Sequence, residues 1–340
     1  MGEPHPEISV LTAVRDGLPH LDQAVTSIRA QSHHGWEWIV VDDGSTDGTA
    51  EHLDAWARRE ARLHVIHAPH RGLVASLNAG LAACRAPLVA RMDADDVARP
   101  ERLAVQIAYL AAHPEVSAAD GLVALCGGRR NAGMQAYVEW VNAHATPEAI
   151  AEDIFVESPL VHPAACFRTT PVRAIGAYRD GDFPEDYDLW LRLSVAGHAL
   201  GKAPAVVLDW RDSANRLSRV DPRYRRAAFI ALKQEHLAAL DGEALRSAGF
   251  VLAGAAPFAR PWRQWLRRIG ARPELIAEVE PRRIGERILG APVVPIAELR
   301  VHPWRYLLVT VTGRAARASL RALLAEWGLA AAPDRRIRYV

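Results

Sequence analysis

The stretch Leu88-Val89-Ala90-Arg91-Met92-Asp93-Ala94-Asp95-Asp96 sets three carboxylates within four residues directly behind a short apolar run. Like charges packed at the end of a strand repel one another unless a cation sits among them. Hard cations such as Mg²⁺ or Mn²⁺ take oxygen from one or two carboxylates plus a substrate's phosphates. The stretch therefore reads as a metal-diphosphate clamp. It reads equally as a solvated acidic turn, because Arg99-Pro100-Glu101 just beyond it has the form of a helix start with Pro at the first position. Its place in the chain decides between the two.

Upstream, Ile8-Ser9-Val10-Leu11-Thr12-Ala13-Val14 is a continuous apolar run ending at Asp16-Gly17, the pattern of a strand covered on both faces in a parallel sheet. Pro19 is expected to open a helix reaching Gln31. Trp36 to Val41 then forms a strand ending at Asp42-Asp43-Gly44-Ser45, and Thr49 to Glu60 a helix. Leu63 to His67 is a third strand, Leu73 to Cys84 a third helix and Leu88 to Met92 a fourth strand. Such alternation implies right-handed crossovers and a parallel sheet with helices on both faces. Ligands bind outside the carboxyl ends of such strands. Asp42 and Asp43 end the second strand, Asp93 and Asp95 follow the fourth, and all four carboxylates share one rim. Fold stability alone asks for no acids at both places. The loop Asp43-Gly44-Ser45-Thr46-Asp47-Gly48 lets backbone approach a ligand closely, although an ordinary N-capped turn has the same composition.

These residues resemble the family 2 glycosyltransferases with the GT-A fold. The resemblance rests on Ile8 to Asp16, on Ile39-Val40-Val41-Asp42-Asp43-Gly44-Ser45-Thr46-Asp47, on Leu77-Asn78-Ala79-Gly80 and on Ala90-Arg91-Met92-Asp93-Ala94-Asp95-Asp96, in that order and spacing. It implies an α/β fold, Rossmann-like, with a mostly parallel sheet and helices on both faces. It also implies that Thr12 and Ala13 line a nucleotide pocket, that Asp43 accepts a hydrogen bond from the nucleobase, that Asp93 lies near the ribose and metal, and that Asp95 ligates Mn²⁺ or Mg²⁺. The implied partners are a nucleoside-diphosphate sugar donor and an acceptor that is a glycan, a lipid-linked saccharide or a protein.

Beyond Pro114 the pattern loosens. Val116 to Leu125 reads as a strand and Gly127-Gly128-Arg129-Arg130-Asn131 as a turn between antiparallel strands. Glu157 to Arg168 resembles the family's stretch leading back into the sheet, where His162 either contacts an acceptor or orders a loop. In Phe183 to Leu193, Tyr187, Trp190, Leu191 and Ser194 fall at i, i+3, i+4 and i+7, so a largely buried helix is expected, ended by Gly197. Glu185 and Asp186 stand at its N-terminus. There a carboxylate meets free N–H groups and the positive end of the dipole, which suits both a cap and a deprotonated base. The family's Glu-Asp motif makes Asp186 the catalytic base, and an ordinary aspartate would be ionised at neutral pH and act through position more than basicity. Val206 to Trp210 reads as a last strand. After it, relatives carry Tyr-Arg-x-His, whose basic residues close over the diphosphate. This chain has Trp210-Arg211-Asp212, which leaves Arg211 to reach a phosphate and no His as a further metal ligand.

The resemblance ends near residue 220, and the chain divides into a GT-A domain (1–220), a helical connector (221–246) and a small Rossmann-like α/β domain (247–340). The connector is a helix from Asp221-Pro222 to about Leu240, broken at Asp241-Gly242. In the last part Phe250 to Gly254, Leu275 to Val279, Val293 to Pro295, Tyr306 to Val311 and Arg336 to Val340 read as strands, with helices at Trp262 to Ile269 and Ala315 to Trp327. Gly254-Ala255-Ala256-Pro257-Phe258-Ala259 stands where a dinucleotide loop would, without GxGxxG, and Pro257 and Phe258 would obstruct a pyrophosphate. An assembly or interaction role is expected for this domain.

Composition adds exclusions. With 41 basic and 40 acidic residues among 340, the chain has no general footprint for nucleic acid or an anionic surface, so any polyanion binding is local. Arg267-Arg268 and Arg335-Arg336 read as solvated faces. Cys84, Cys126 and Cys166 form no CxxC pair and are expected to be free thiols in a reducing compartment. The first residues lack the form of a signal peptide, and the longest apolar run, Ala248 to Ala259, falls short of the roughly 18 to 20 residues of a membrane span. A cytoplasmic protein is expected, with peripheral membrane association open. The whole reads as an inverting, metal-assisted glycosyltransferase. The alternative is a non-catalytic sugar-nucleotide sensor or scaffold.

Overall fold

A computed structural model describes residues 5–18, 20–128, 131–213, 216–330 and 332–340. The expected helix start at Pro19 and the Arg129-Arg130 part of the expected turn lie outside them. The chain forms two compact units, residues 1–151 with 158–228 and residues 152–157 with 229–340.

The first unit is built on eight strands: β1 (Ile8–Val14), β2 (Trp36–Asp43), β3 (Leu63–Ala68), β4 (Leu88–Arg91), β5 (Val97–Ala98), β6 (Val116–Cys126), β7 (Cys166–Arg168) and β8 (Ala199–Arg211), in the order β3-β2-β1-β4-β7-β6-β8-β5. β3, β2, β1 and β4 run parallel, β7 is antiparallel to β4 and β6, β6 is parallel to β8, and β5 is antiparallel to β8. The sheet is thus mostly parallel. Ile8, Val10, Leu11, Trp38 and Val40 are buried, as the unbroken apolar runs require of strands covered on both faces. Helices α1 (Leu21–Arg29), α2 (Thr49–Ala57) and α3 (Leu73–Ala83) connect the parallel strands, and α4 (Arg102–Ala112) follows β5. A Cβ on Gly80 of α3 would stand 2.3 Å from Leu11 Cδ1, so the Leu77-Asn78-Ala79-Gly80 motif lets the helix lie close on β1.

Two local expectations are overturned. Among the described residues β6 is followed by a helix and not by a second strand of a hairpin. Instead Asn131 accepts the N–H groups of Gly133 (2.9 Å) and Met134 (3.3 Å) and caps α5 (Ala132–Ala143), which is followed by α6 (Pro147–Asp153). Gly127 and Gly128, which directly follow β6, both take positive φ. Further on come α7 (Thr169–Ala174), α8 (Glu185–Val195) and the short α9 (Leu217–Val220).

The second unit holds most of α10 (Arg226–Arg246), with β9 (Phe250–Ala253), α11 (Arg260–Arg268), β10 (Ile276–Glu278), β11 (Arg287–Ile288), β12 (Ala291–Pro295), β13 (Tyr306–Val309), α12 (Arg314–Glu326) and β14 (Arg336–Tyr339). Its sheet order is β11-β12-β10-β9-β13-β14, parallel apart from β11. The expected break at Asp241-Gly242 does not occur. α10 runs through it because Asp241 is buried and accepts from Tyr306 Oη (3.0 Å), Arg336 (2.6 Å) and Arg338 (2.7 Å), a tertiary anchor that outweighs a turn-prone dipeptide. The three cysteines are free. Among the described residues no helix is long and apolar enough to cross a membrane.

Candidate active site

The carboxyl ends of β1, β2 and β4 lie on one rim, set by the parallel registers Val14↔Asp42 and Leu11↔Arg91. Two loops there are sewn together. Asp16 and Gly17 N–H groups donate to Ser45 Oγ (2.9 Å) and Thr49 Oγ1 (2.8 Å), and Thr46 N–H returns to Asp16 Oδ1 (2.8 Å). Asp43 is almost fully buried, and its oxygens accept from His70 Nδ1 (2.7 Å), Arg71 N–H (2.8 Å) and Gly72 N–H (3.0 Å). Burial works against ionisation, yet these donors hold its carboxyl below the usual range. Asp43, the residue expected to meet a nucleobase, also clamps the loop after β3. Thr12, expected to line the pocket, is wholly buried, and its hydroxyl accepts from Trp38 Nε1 at 3.1 Å. Ala13 is half-buried in the same strand.

The acidic stretch follows β4. Asp93, Asp95 and Asp96 each bring a carboxylate oxygen within 4.8 Å of the others. Burial, and then the charge of Asp93, raise Asp95, and the same causes with Asp95 added raise Asp96 well above the usual range. Asp96 Oδ1 accepts the Arg211 N–H at 2.7 Å, while its Oδ2 is buried without a hydrogen-bond partner. A cluster of hard oxygen donors with one orphaned buried oxygen fits a divalent cation. The sequence counted Asp96 among the three clustered carboxylates and gave it no role of its own.

Arg211, expected to reach a phosphate, holds the acidic loop. Its Nε donates to the Asp95 carbonyl (2.7 Å) and its Nη2 to Gln23 Oε1 (2.6 Å), so it braces the acidic loop. The nearby Arg216 is placed differently. It stacks on Trp210 at 4.1 Å, its charge acts on Asp95 and Asp96, and its Nη1 is buried without a partner.

Arg91 joins this cluster to the second one. Its buried guanidinium pairs with Asp93, and its charge acts on Glu185 and Asp186 at the start of α8. Behind it, Arg102 donates to the Arg91 carbonyl at 2.5 Å. The helix forms as its apolar spacing requires, with Tyr187, Leu189, Trp190, Leu191 and Leu193 fully buried. The N-cap position belongs to Pro184, which offers no side-chain cap. Asp186 Oδ1 accepts the adjacent Tyr187 N–H (2.7 Å), and Glu185 Oε2 accepts from Tyr224 Oη (2.7 Å). Burial, and then the charge of Glu185, push Asp186 up to about 8. The expectation of an ordinary, fully ionised aspartate is corrected here, because desolvation and a like charge outweigh the helix dipole.

His162 is buried beneath this pair. Burial and the charge of Arg91 hold its ring well below the usual range, hence neutral, and Nε2 lies 2.9 Å from Tyr178 Oη. Tyr178 is in turn fixed by Asn78, which donates to its carbonyl (2.9 Å) and accepts its N–H (3.0 Å). His162 therefore orders the floor of the site.

Residues 9–175 match the family described as Glycosyl transferase family 2. The amylovoran biosynthesis glycosyltransferase AmsE of Erwinia amylovora is 30% identical over 204 residues, 59% of this chain and 73% of that protein. The chain is a family 2 glycosyltransferase. A match to the uncharacterized protein y4gI of Sinorhizobium fredii runs over 98% of the glycosyltransferase chain at 28% identity but covers only 35% of that longer protein. In fold, S. aureus TarS 1-349 resembles it with a TM-score of 0.51 and 16% identity over 77% of this chain and 80% of that one. The same TarS region has been crystallised with UDP-GlcNAc. The glycosyltransferase thus has the GT-A fold.

Proposed function

We propose that this glycosyltransferase moves a sugar from a nucleoside diphosphate to an acceptor hydroxyl with inversion at the anomeric carbon, in the assembly of a polysaccharide or related glycan. The observation that carries the reading is the buried Arg91 guanidinium, which pairs with Asp93 and whose charge also reaches Asp186, so that the acidic triad and the start of α8 lie in one electrostatic neighbourhood. The amylovoran-related name of AmsE supports the product class, and the UDP-GlcNAc bound by TarS supports the donor class.

Asp95 and Asp93 would hold Mn²⁺ or Mg²⁺, with Asp96 as the third carboxylate. Such a cation supplies Lewis-acid neutralisation of the departing diphosphate. Arg216, with its unpartnered Nη1, is the cation suited to a phosphate oxygen, while Arg211 keeps the Asp95 backbone in place. The acceptor oxygen bonds to the anomeric carbon as the bond to the phosphate oxygen breaks on the opposite face. The electron pair leaves with the diphosphate, and the hydroxyl proton passes to Asp186. A carboxyl lifted to about 8 is a far stronger base than an ordinary aspartate once ionised, and a base matched to the working pH is the more effective one.

The test is release of nucleoside diphosphate from UDP- and GDP-sugars with Mn²⁺ or with EDTA, followed by NMR of the product. Inverted configuration and loss of turnover in EDTA are expected. Retention of configuration, or turnover indifferent to EDTA, would overturn the mechanism.

A further inference from the structure

The strand order of the second unit puts its topological switch point between β9 and β13, the place where a Rossmann-like sheet ordinarily takes a ligand. Next to it the chain supplies its own anion. Glu278, at the end of β10, accepts from Ala255 N–H (2.6 Å), Val279 N–H (2.7 Å) and Glu280 N–H (3.1 Å), so the backbone donors that would cradle a phosphate are spent on a carboxylate. Arg263 donates to the Ala255 and Ala256 carbonyls (2.8 and 3.0 Å), and Arg283 also donates to the Ala255 carbonyl.

These bonds gather the turns after β9 and β10 and the turn at 281–283 onto one rim, and each presents an apolar side chain to solvent. Phe258 is 58% exposed, Val279 71% and Ile284 40%. The same turns and the start of α11 carry Arg260, Arg263, Arg282 and Arg283 with Glu280 and Glu286, and the charges of Arg260, Arg283 and Glu286 act on Arg263. Burial, and then the charges of Arg283 and Arg260, hold Arg263 below its ordinary range. The basic excess is regional. Residues 229–340 contain 18 Lys and Arg against 10 Asp and Glu, although the whole chain is nearly neutral.

Three apolar tips on three separate turns make points of insertion. They do not make the continuous face of roughly 800 Å² per partner that a stable protein interface needs. Apolar tips carried with guanidinium groups on the same turns match the boundary of an anionic bilayer, where the tips enter the acyl region and the arginines meet lipid phosphates. We propose that this rim of the C-terminal unit is a docking surface for an anionic lipid bilayer. It takes a role for that unit beyond sugar transfer.

The test is co-sedimentation of the full chain with phosphatidylcholine vesicles carrying about 30 mol % phosphatidylglycerol, or none. Binding to the anionic vesicles alone, weakened by salt, is expected. Arg260→Ala with Arg282→Ala should weaken it roughly 25-fold, and Phe258→Ser with Val279→Ser roughly tenfold. Arg246→Ala with Arg305→Ala removes the same charge from exposed positions outside the rim and should leave binding within roughly twofold. Melting temperatures of the variants check that each is folded. Equal losses in both arginine pairs would mean diffuse attraction and overturn the site, as would no binding by folded wild type. A concentration-dependent dimer abolished by Phe258→Ser and Val279→Ser, without vesicle binding, would make a second copy the occupant and also overturn it.

Discussion

Asp120 and Asp186 are both carboxylates sunk into the first unit, and they differ in what faces them. Asp120, on β6, pairs with Lys202 Nζ on β8 and accepts the Val161 N–H at 2.9 Å, with both side chains of the pair fully buried. Burial raises its carboxyl and Lys202 pulls it back. Asp186 has Glu185 as its neighbour, and its cation, Arg91, is committed to Asp93. The first acid is neutralised where it stands and serves the sheet. The second is left short of compensation, which is the environment that the proposed base requires.

The largest expected effect breaks the functional side of this comparison. Asp186→Asn keeps the size and the Tyr187 contact but cannot take a proton, so transfer should fall roughly 10²- to 10⁴-fold with the donor dissociation constant unchanged. Wild-type transfer should climb with pH and level off above about 8. The same substitution should raise thermal stability at neutral pH. A folded-state pKa above the unfolded value means that ionisation opposes folding. That penalty is absent below the ordinary aspartate range, grows as pH rises and is complete above about 8, so the melting curves of variant and wild type should converge near pH 4 and part above it. A variant that melts lower at neutral pH would place Asp186 with Asp120.

The structural side breaks next. Lys202→Met strands a buried carboxylate and should cost about 3 to 5 kcal/mol in urea unfolding, whereas Asp120→Asn combined with Lys202→Met should recover a large part of it. A third measurement addresses the acidic rim. Asp95→Asn should lower Mn²⁺-dependent donor affinity by roughly 10- to 100-fold in calorimetric titration while urea stability holds, because the residue lies on a loop. Unchanged metal dependence in the folded variant would remove it from the ligand set.

The smallest effect sharpens the comparison. Tyr224→Phe removes the donor that favours ionised Glu185, so Glu185 becomes easier to protonate and repels Asp186 less. Asp186 should then titrate lower, and the pH-rate profile should move toward acid with only a few-fold change in the maximal rate. A profile that stays in place would uncouple the two acids.

Several expectations were readable because they rest on local pattern. The parallel half of the first sheet followed from unbroken apolar runs, and α8 followed from the 3.6-residue spacing of Tyr187, Trp190 and Leu191. The strands and helices of the C-terminal unit lie close to where their apolar runs stand. The misreadings share one cause. Gly127-Gly128 and Asp241-Gly242 were judged by local turn chemistry, while the cap at Asn131 and the Tyr306, Arg336 and Arg338 partners of Asp241 decided the outcome.

What the sequence by itself determined was the alternation of strand and helix, the rim on which Asp93 and Asp95 lie, and the helix that presents Asp186. Periodicity and motif order are properties of neighbours along the chain. What only the tertiary structure decided was the state and engagement of each group. It lifted Asp186, tied Asp43 and Arg211 into loops, buried Thr12, left Arg216 Nη1 and Asp96 Oδ2 unpartnered, and gathered Phe258, Val279 and Ile284 on one rim. Desolvation and charge coupling depend on groups brought together from distant parts of the chain, and a linear pattern carries no measure of that distance.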